Sequence, residues 1–240
     1  MNLQKDRAAN MVRCYDDFIE TLLNAGFTMA GGNPDGIYAI VDWVWNQLPP
    51  YETPVSWYSG CPETDPNEWL GRILNDHDDI TYGKIFMRKS GYVTNEWLPY
   101  FLAVRRNGIT FDEAYESGTI SHFAKRVYDI VVDSDTVQVE DIKRLGGFSR
   151  EEKSSFDRAL VELQMKMFIM PCTRRHKISK VGELYGMAST VFSTTENLWG
   201  QEMFNQAANI TPAQAKEKIS AQVLKLNPRA EEKKILKFIS

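Results

Sequence analysis

The sequence is poor in cysteine and histidine and has no long apolar run. Its three cysteines, Cys14, Cys61 and Cys172, are odd in number and far apart. That excludes a disulfide framework and a paired-cysteine metal knuckle, and it fits a reducing compartment. No stretch reaches the ~18 apolar residues that a membrane span needs. Met1 to Arg7 turns polar at once, with no apolar core of a secretory signal, so a cytoplasmic location is expected. Phosphate-binding glycine fingerprints are missing too, since Gly31-Gly32 before Pro34 matches neither GxGxxG nor GxxxxGK[ST]. HxxxH, GxSxG and Cys/His pairings do not occur. Asp76-His77-Asp78-Asp79 reads as a solvated acidic loop, and His122 and His176 have no assignable partners. No metal and no cofactor is expected.

What is present is an uneven charge. The 240 residues carry a formal net charge of −4. Residues 1–80 hold 4 basic and 13 acidic side chains, residues 81–135 hold 7 and 7, residues 136–180 hold 10 and 6, and residues 181–240 hold 7 and 6. An acidic whole argues against strong non-specific DNA binding, which phosphate attraction supplies. A single basic segment on such a chain is compatible with modest or specific binding.

That basic segment has its own helical pattern. Helix one is predicted from Ser121 to Asp133, burying Phe123, Val127, Ile130 and Val131, and helix two from Val139 to Leu145, stopped by Gly146-Gly147. Ser149 caps helix three, with Glu152 completing an S-x-x-E capping box. Its apolar stripe is Phe156, Ala159, Leu160, Leu163 and Met167. Its opposite face carries Arg150, Lys153, Ser154, Asp157, Arg158 and Glu162. A strand from Phe168 to Thr173, a basic turn Arg174-Arg175-His176-Lys177 and a return strand Ile178 to Val181 complete the unit. Three helices and a hairpin in this order are the signature of a winged helix, a variant of the helix-turn-helix. In the functional reading, Arg150, Lys153, Ser154 and Arg158 face a DNA groove while Arg174, Arg175 and Lys177 touch phosphates. In the plainer reading the face is a solvated helix surface, interrupted by Glu151, Asp157 and Glu162, or a protein contact.

The flanks are also mostly helical. Apolar spacings of three and four predict helices from Leu3 to Leu23, stopped by Gly26, and from Asp35 to Leu48, stopped by Pro49-Pro50. Residues 49–68 read as an ordered loop anchored by Trp57 and Trp69, followed by a short helix to Leu74. Tyr82 to Lys89 is extended or turn-like. Thr94 caps Asn95 to Arg105 with Pro99 in the first turn, and Thr110 with Glu113 starts another helix. Thr211-Pro212 and Arg229 to Ile239 mark two helices in the tail, the last so short and charged that it must dock. Five of the six tryptophans lie in the first hundred residues. They can form core, stack extruded bases or line a ligand pocket.

Three stretches carry a resemblance: Tyr82-Gly83-Lys84-Ile85-Phe86, Glu96-Trp97-Leu98-Pro99-Tyr100-Phe101, and Lys153 to Gln164. Together they resemble a bacterial family of small winged-helix proteins related to the AlkZ/YcaQ-type DNA glycosylases, which repair alkylated or crosslinked DNA. The resemblance spans about residues 20–225. It implies tandem winged helices around a DNA-binding cleft, and in the glycosylases proper a Gln-φ-Gln or Gln-φ-Asp pair (φ apolar) that positions the hydrolytic water. That pair is not found here. Gln4-Lys5-Asp6 has a charged middle residue, and Gln138-Val139-Glu140 and Gln164-Met165-Lys166 lack the second partner. No catalytic residue is carried over.

The expected fold is mainly α with short β wings (α+β), in tandem winged-helix-like units. The segments are an aromatic-rich 1–118, a winged helix at 119–185 and a helical 186–240. The expected partner is double-stranded DNA. An active alkyl-base glycosylase and a small-ligand or protein-binding protein built on the aromatic half are the alternatives.

Overall fold

The computed structural model describes residues 12–31, 36–41, 53–178 and 182–240. It is a mixed α and β chain with two small antiparallel sheets. None of its described helices is long and apolar enough to cross a membrane.

The first sheet is assembled around an apolar strand. Helix α1 (Tyr15–Ala25) buries Tyr15, Phe18, Ile19, Leu22 and Ala25 on one face. It ends at Gly26, whose φ of 86° places it in the left-handed region and whose N–H donates to Leu22 O. A side chain there is doubly excluded, because a Cβ would lie 2.1 Å from the Trp97 ring. The chain then runs straight into β1 (Phe27–Met29), which is buried throughout. After α2 (Pro66–Asp76), capped by Asp65, come β2 (Ile80–Phe86) and β3 (Lys89–Thr94). Met87 and Arg88 both have positive φ, the geometry of a tight hairpin turn matched to strand twist. The strand order is β1-β3-β2.

Residues 36–41 correct the helix predicted from Asp35 to Leu48. They are irregular, with a parallel bridge from Met29 to Ala39. Ile37, Ile40 and Val41 are buried at helix-like spacing. Their backbone, however, is bonded elsewhere. Tyr38 O accepts from Met29 N–H, Ile40 N–H donates to the Thr28 hydroxyl, and the Asn227 amide holds the carbonyls of Gly36 and Ile37. Apolar spacing recorded burial, while tertiary partners decided conformation. Positions 42–48 lie outside the described residues, as do 3–11 of the first predicted helix.

Helix α3 (Leu98–Arg105) begins after Trp97 with Pro99 in its first turn. Thr94, predicted as its cap, is instead the last residue of β3, opposite Ile80. Helix α4 (Phe111–Glu116) has the complete Thr110–Glu113 capping box. The second sheet belongs to α5 (His122–Ser134), β4 (Thr136–Gln138), α6 (Val139–Leu145), α7 (Lys153–Met165), β5 (Ile169–Ile178) and β6 (Leu184–Thr194), with strand order β4-β6-β5. Helices α8 (Thr195–Ala208), α9 (Pro212–Leu226) and α10 (Glu232–Ile239) follow.

One core joins Phe27, Phe86, Trp97 and Phe101 to Ile219, Val223 and Phe238 from the tail. Phe238 stacks on Phe86 at 4.1 Å between ring centroids. Full burial of one such side chain contributes about 1.5–3 kcal/mol, which is why so short a helix as α10 holds its place. A second core fills residues 111–192 around Phe156, Leu163 and Phe168. A third packs α1 on α2 through Phe18, Leu22, Trp69 and Ile73.

Candidate nucleic-acid interface

The basic segment folds as a unit whose parts are clamped by polar side chains. Ser121 caps α5, accepting from Ala124 N–H. Its own N–H and hydroxyl donate to the two carboxylate oxygens of Glu162 on α7, at 2.8 and 2.7 Å. A carboxylate at a helix N-terminus is favoured by the helix dipole, so Glu162 serves α5 rather than merely interrupting a basic face. Arg126 of α5 donates to Glu152 and to Gly146 O, both at 2.9 Å, and lies 4.3 Å from the Phe148 ring centre. Gly146 is needed where it stands, because a Cβ would meet Phe148 at 2.3 Å and Ile130 at 2.9 Å.

The Ser149–Glu152 box forms, with Ser149 N–H donating to Glu152 and Glu152 N–H donating to the Ser149 hydroxyl. It organises a turn, and the regular helix begins only at Lys153. The Ser149 N–H bond, with help from Arg126, holds the Glu152 carboxyl below its ordinary range. The buried stripe is Phe156, Ala159, Leu160 and Leu163, as the spacing predicts, with Gln164 added.

On the outer face Arg150, Lys153, Ser154, Asp157 and Arg158 are exposed. Arg150 O accepts from Lys153 N–H, and Arg158 reaches back to Ser154 O at 3.2 Å and to the Ser155 hydroxyl at 3.1 Å. All four predicted residues are therefore exposed, Lys153, Ser154 and Arg158 on α7 and Arg150 in the turn before it. Of the acidic neighbours, Glu152 and Glu162 are engaged in the clamps, leaving Glu151 and Asp157 exposed on this face.

The hairpin differs from its prediction. Arg174-Arg175-His176-Lys177 is strand, not turn, and the return strand is Leu184–Thr194 rather than Ile178 to Val181. Arg174 pairs with Thr190, Arg175 with Ser189 and Lys177 with Tyr185, with bulges on either side of the 173–175 run. The physical reason is that a run of charges makes no turn by itself; between the two strands the described positive-φ residue is Gly182. Neighbouring strand residues face opposite ways. Arg174 is half-buried and donates to Ala188 O at 3.1 Å, and its charge opposes the upward push that burial gives the Tyr82 phenol. Arg175 is exposed, and its carbonyl accepts from the Gln138 amide at 3.0 Å. The strand thus separates two arginines that the sequence sets side by side.

Both described glutamines considered for catalysis are engaged elsewhere. Gln138 bonds Arg175, while Glu140, two residues on, accepts from the Ser189 hydroxyl. Gln164 is buried and bonds Lys84 N–H and Leu160 O. Gln4-Lys5-Asp6 lies outside the described residues. No group of three metal-capable side chains occurs among the described residues. Trp69, Trp97 and Tyr92 are core, whereas Tyr58 is 73% exposed.

A family model described as AlkZ related matches residues 12–240. The DNA glycosylase AlkZ of Streptomyces sahachiroi is similar to this chain at 12% identity and a TM-score of 0.38. That similarity covers 73% of this chain and 50% of the other, so the chain spans half that protein's length. No curated protein matches.

Proposed function

The chain belongs to the AlkZ-related family, and from that premise we propose that its segment from residue 119 through β6 is a winged helix that binds double-stranded DNA. In this reading α7 is the helix presented to the groove, and Arg150, Lys153, Ser154 and Arg158 make the contacts. Arg175 on β5 reaches phosphates. Helix, short strand, helix, helix and hairpin, in that order, support the architecture. The carrying observation is that the cations of α7 stand exposed together while Glu152 and Glu162 are bonded to Arg126 and Ser121. Base excision is not part of the proposal, because Gln138 and Gln164 spend their amides on the scaffold.

The test is affinity for a labelled duplex at about 50 and 200 mM salt, where several phosphate contacts weaken binding steeply. The triple variant Arg150→Ala, Lys153→Ala, Arg158→Ala is expected to bind more weakly with a shallower salt slope, by roughly one unit for each phosphate left without its cation. Parent protein that does not bind at the lower salt overturns the reading.

A further inference from the structure

The hairpin of the first sheet carries a charge opposite to that of the chain before it. Residues 1–79 hold 13 acidic and 4 basic side chains, whereas residues 80–95 hold Lys84, Arg88 and Lys89 and no carboxylate. All three cations are exposed. Lys84 and Arg88 make no ion pair among the described residues.

The turn between β2 and β3 is strained. It consists of Met87 and Arg88, between the paired Phe86 and Lys89, and their φ angles are 50° and 65°. A turn of this kind favours Asn-Gly, because most side chains resist the left-handed region. Such strain clusters where a residue serves recognition rather than stability.

The hairpin abuts the C-terminal end of α7. Arg88 N–H donates to Met165 Sδ at 3.3 Å, and Lys84 N–H donates to Gln164 Oε1 at 2.9 Å. Met165 follows Ser154 by eleven residues and Arg158 by seven, close to three and two whole helical turns, so the three side chains share one stripe of α7. Arg88 is thereby moored at the far end of the stripe that bears Ser154 and Arg158. From Ser154 to Met165 the helix rises about 16 Å, or about five base pairs of duplex at ~3.4 Å each. A duplex laid on the N-terminal half of α7 has phosphates within that span.

We propose that Lys84 and Arg88 form a second phosphate contact, by which the first sheet grips the duplex presented to α7. This contact rests on the DNA reading of α7, and its test separates the two.

Binding of a labelled duplex is titrated between about 50 and 200 mM salt. The Lys84→Ala/Arg88→Ala variant is expected to lose about two units of salt slope, and Arg88→Gly about one, each with weaker binding. Arg88→Gly should also keep or raise the melting temperature, since glycine relieves the turn, whereas a residue held for structure would lower it. The charge-matched Lys125→Ala/Lys225→Ala variant should keep the parent's slope. A hairpin variant with the parent's slope, a control that falls as far, or an Arg88→Gly protein that melts earlier overturns the contact. Parent protein that does not bind overturns this contact and the α7 reading together. Weaker binding in the Arg150→Ala, Lys153→Ala, Arg158→Ala variant but not in the hairpin variants overturns this contact alone. The reverse pattern overturns the α7 reading and leaves the hairpin contact standing.

Discussion

Gln164 of α7 accepts the backbone N–H of Lys84 on β2 at 2.9 Å, tying the second unit to the edge of the first sheet. Its amide nitrogen donates to Leu160 O at 2.8 Å, so both ends of a buried side chain are satisfied. Gly83 lies against the same glutamine, where a Cβ would come within 2.8 Å of the Met170 sulfur and 3.4 Å of Gln164 Oε1. Replacing Gln164 by leucine keeps the bulk and removes the bonds. We expect a loss of about 1–3 kcal/mol in urea unfolding. An unchanged midpoint would show that the joint contributes nothing.

Arg106 should be sensitive and its partner tolerant. The Arg106 side chain is 8% exposed, pairs with Glu196 at 2.8 Å, donates to Thr195 and Met167 O, and lies 4.3 Å from the Phe168 ring centre. Glu196 is 44% exposed and stays solvated without the arginine. Arg106→Met is expected to cost about 2–3 kcal/mol and Glu196→Gln under about 1 kcal/mol. Equal losses in thermal unfolding would contradict this asymmetry.

The Tyr15 hydroxyl is buried without a hydrogen-bond partner among the described residues. Burial, opposed by Arg72, raises its pKa to about 12 from an ordinary 10.0. Since the folded value lies above the unfolded one, the stability this group contributes is full below pH 10 and is lost as pH rises toward 12. Tyr15→Phe is expected to be neutral or up to about 1 kcal/mol stabilising at pH 7. It should also flatten the alkaline decline seen in unfolding curves between pH 9 and 12. Tyr128, raised to about 12 mainly by burial, leaves part of that decline in place.

The two strand arginines should separate by assay. Arg175→Ala is expected to weaken duplex binding and reduce the salt slope by about one, with little change in stability. Arg174→Ala is expected to leave the salt slope nearly unchanged, because its guanidinium is held by Ala188 O. A titration in which the two variants bind alike would show that the strand does not divide them.

Gly26→Ala combines a left-handed backbone with a collision at Trp97. It should destabilise the first sheet by more than ~1 kcal/mol, measured as a lower urea midpoint.

Most of the second unit was legible because local signals agreed. Ser121 caps α5, Gly146 stops α6, and the Phe156–Leu163 stripe of α7 is the buried one. What escaped was non-local. Strands β1 and β4 are three residues each, too short for alternation to register, and exist through pairing with β3 and β6. Residues 36–41 imitate helical spacing because two buried surfaces happen to recur at that interval. At the candidate interface, residue types were legible but allegiance was not. Glu162 reads as an interruption until Ser121 is seen at its carboxylate, and Arg174 equals Arg175 until the strand turns them apart. Helix α8 falls in the stretch expected to be helical, but its bounds are not legible, and Gly200, with a φ of 65°, kinks it from within.

The stack of Phe238 on Phe86 also sets an order of events during synthesis. The second unit draws its core from residues 111–192, one contiguous stretch that can close as soon as it leaves the ribosome. The first sheet emerges earlier yet cannot finish earlier, since Ile219, Val223 and Phe238 close its core. Phe27, Phe86 and Phe101 must wait, uncovered, while a later part of the chain folds, and that interval is when this protein most needs shielding from its neighbours.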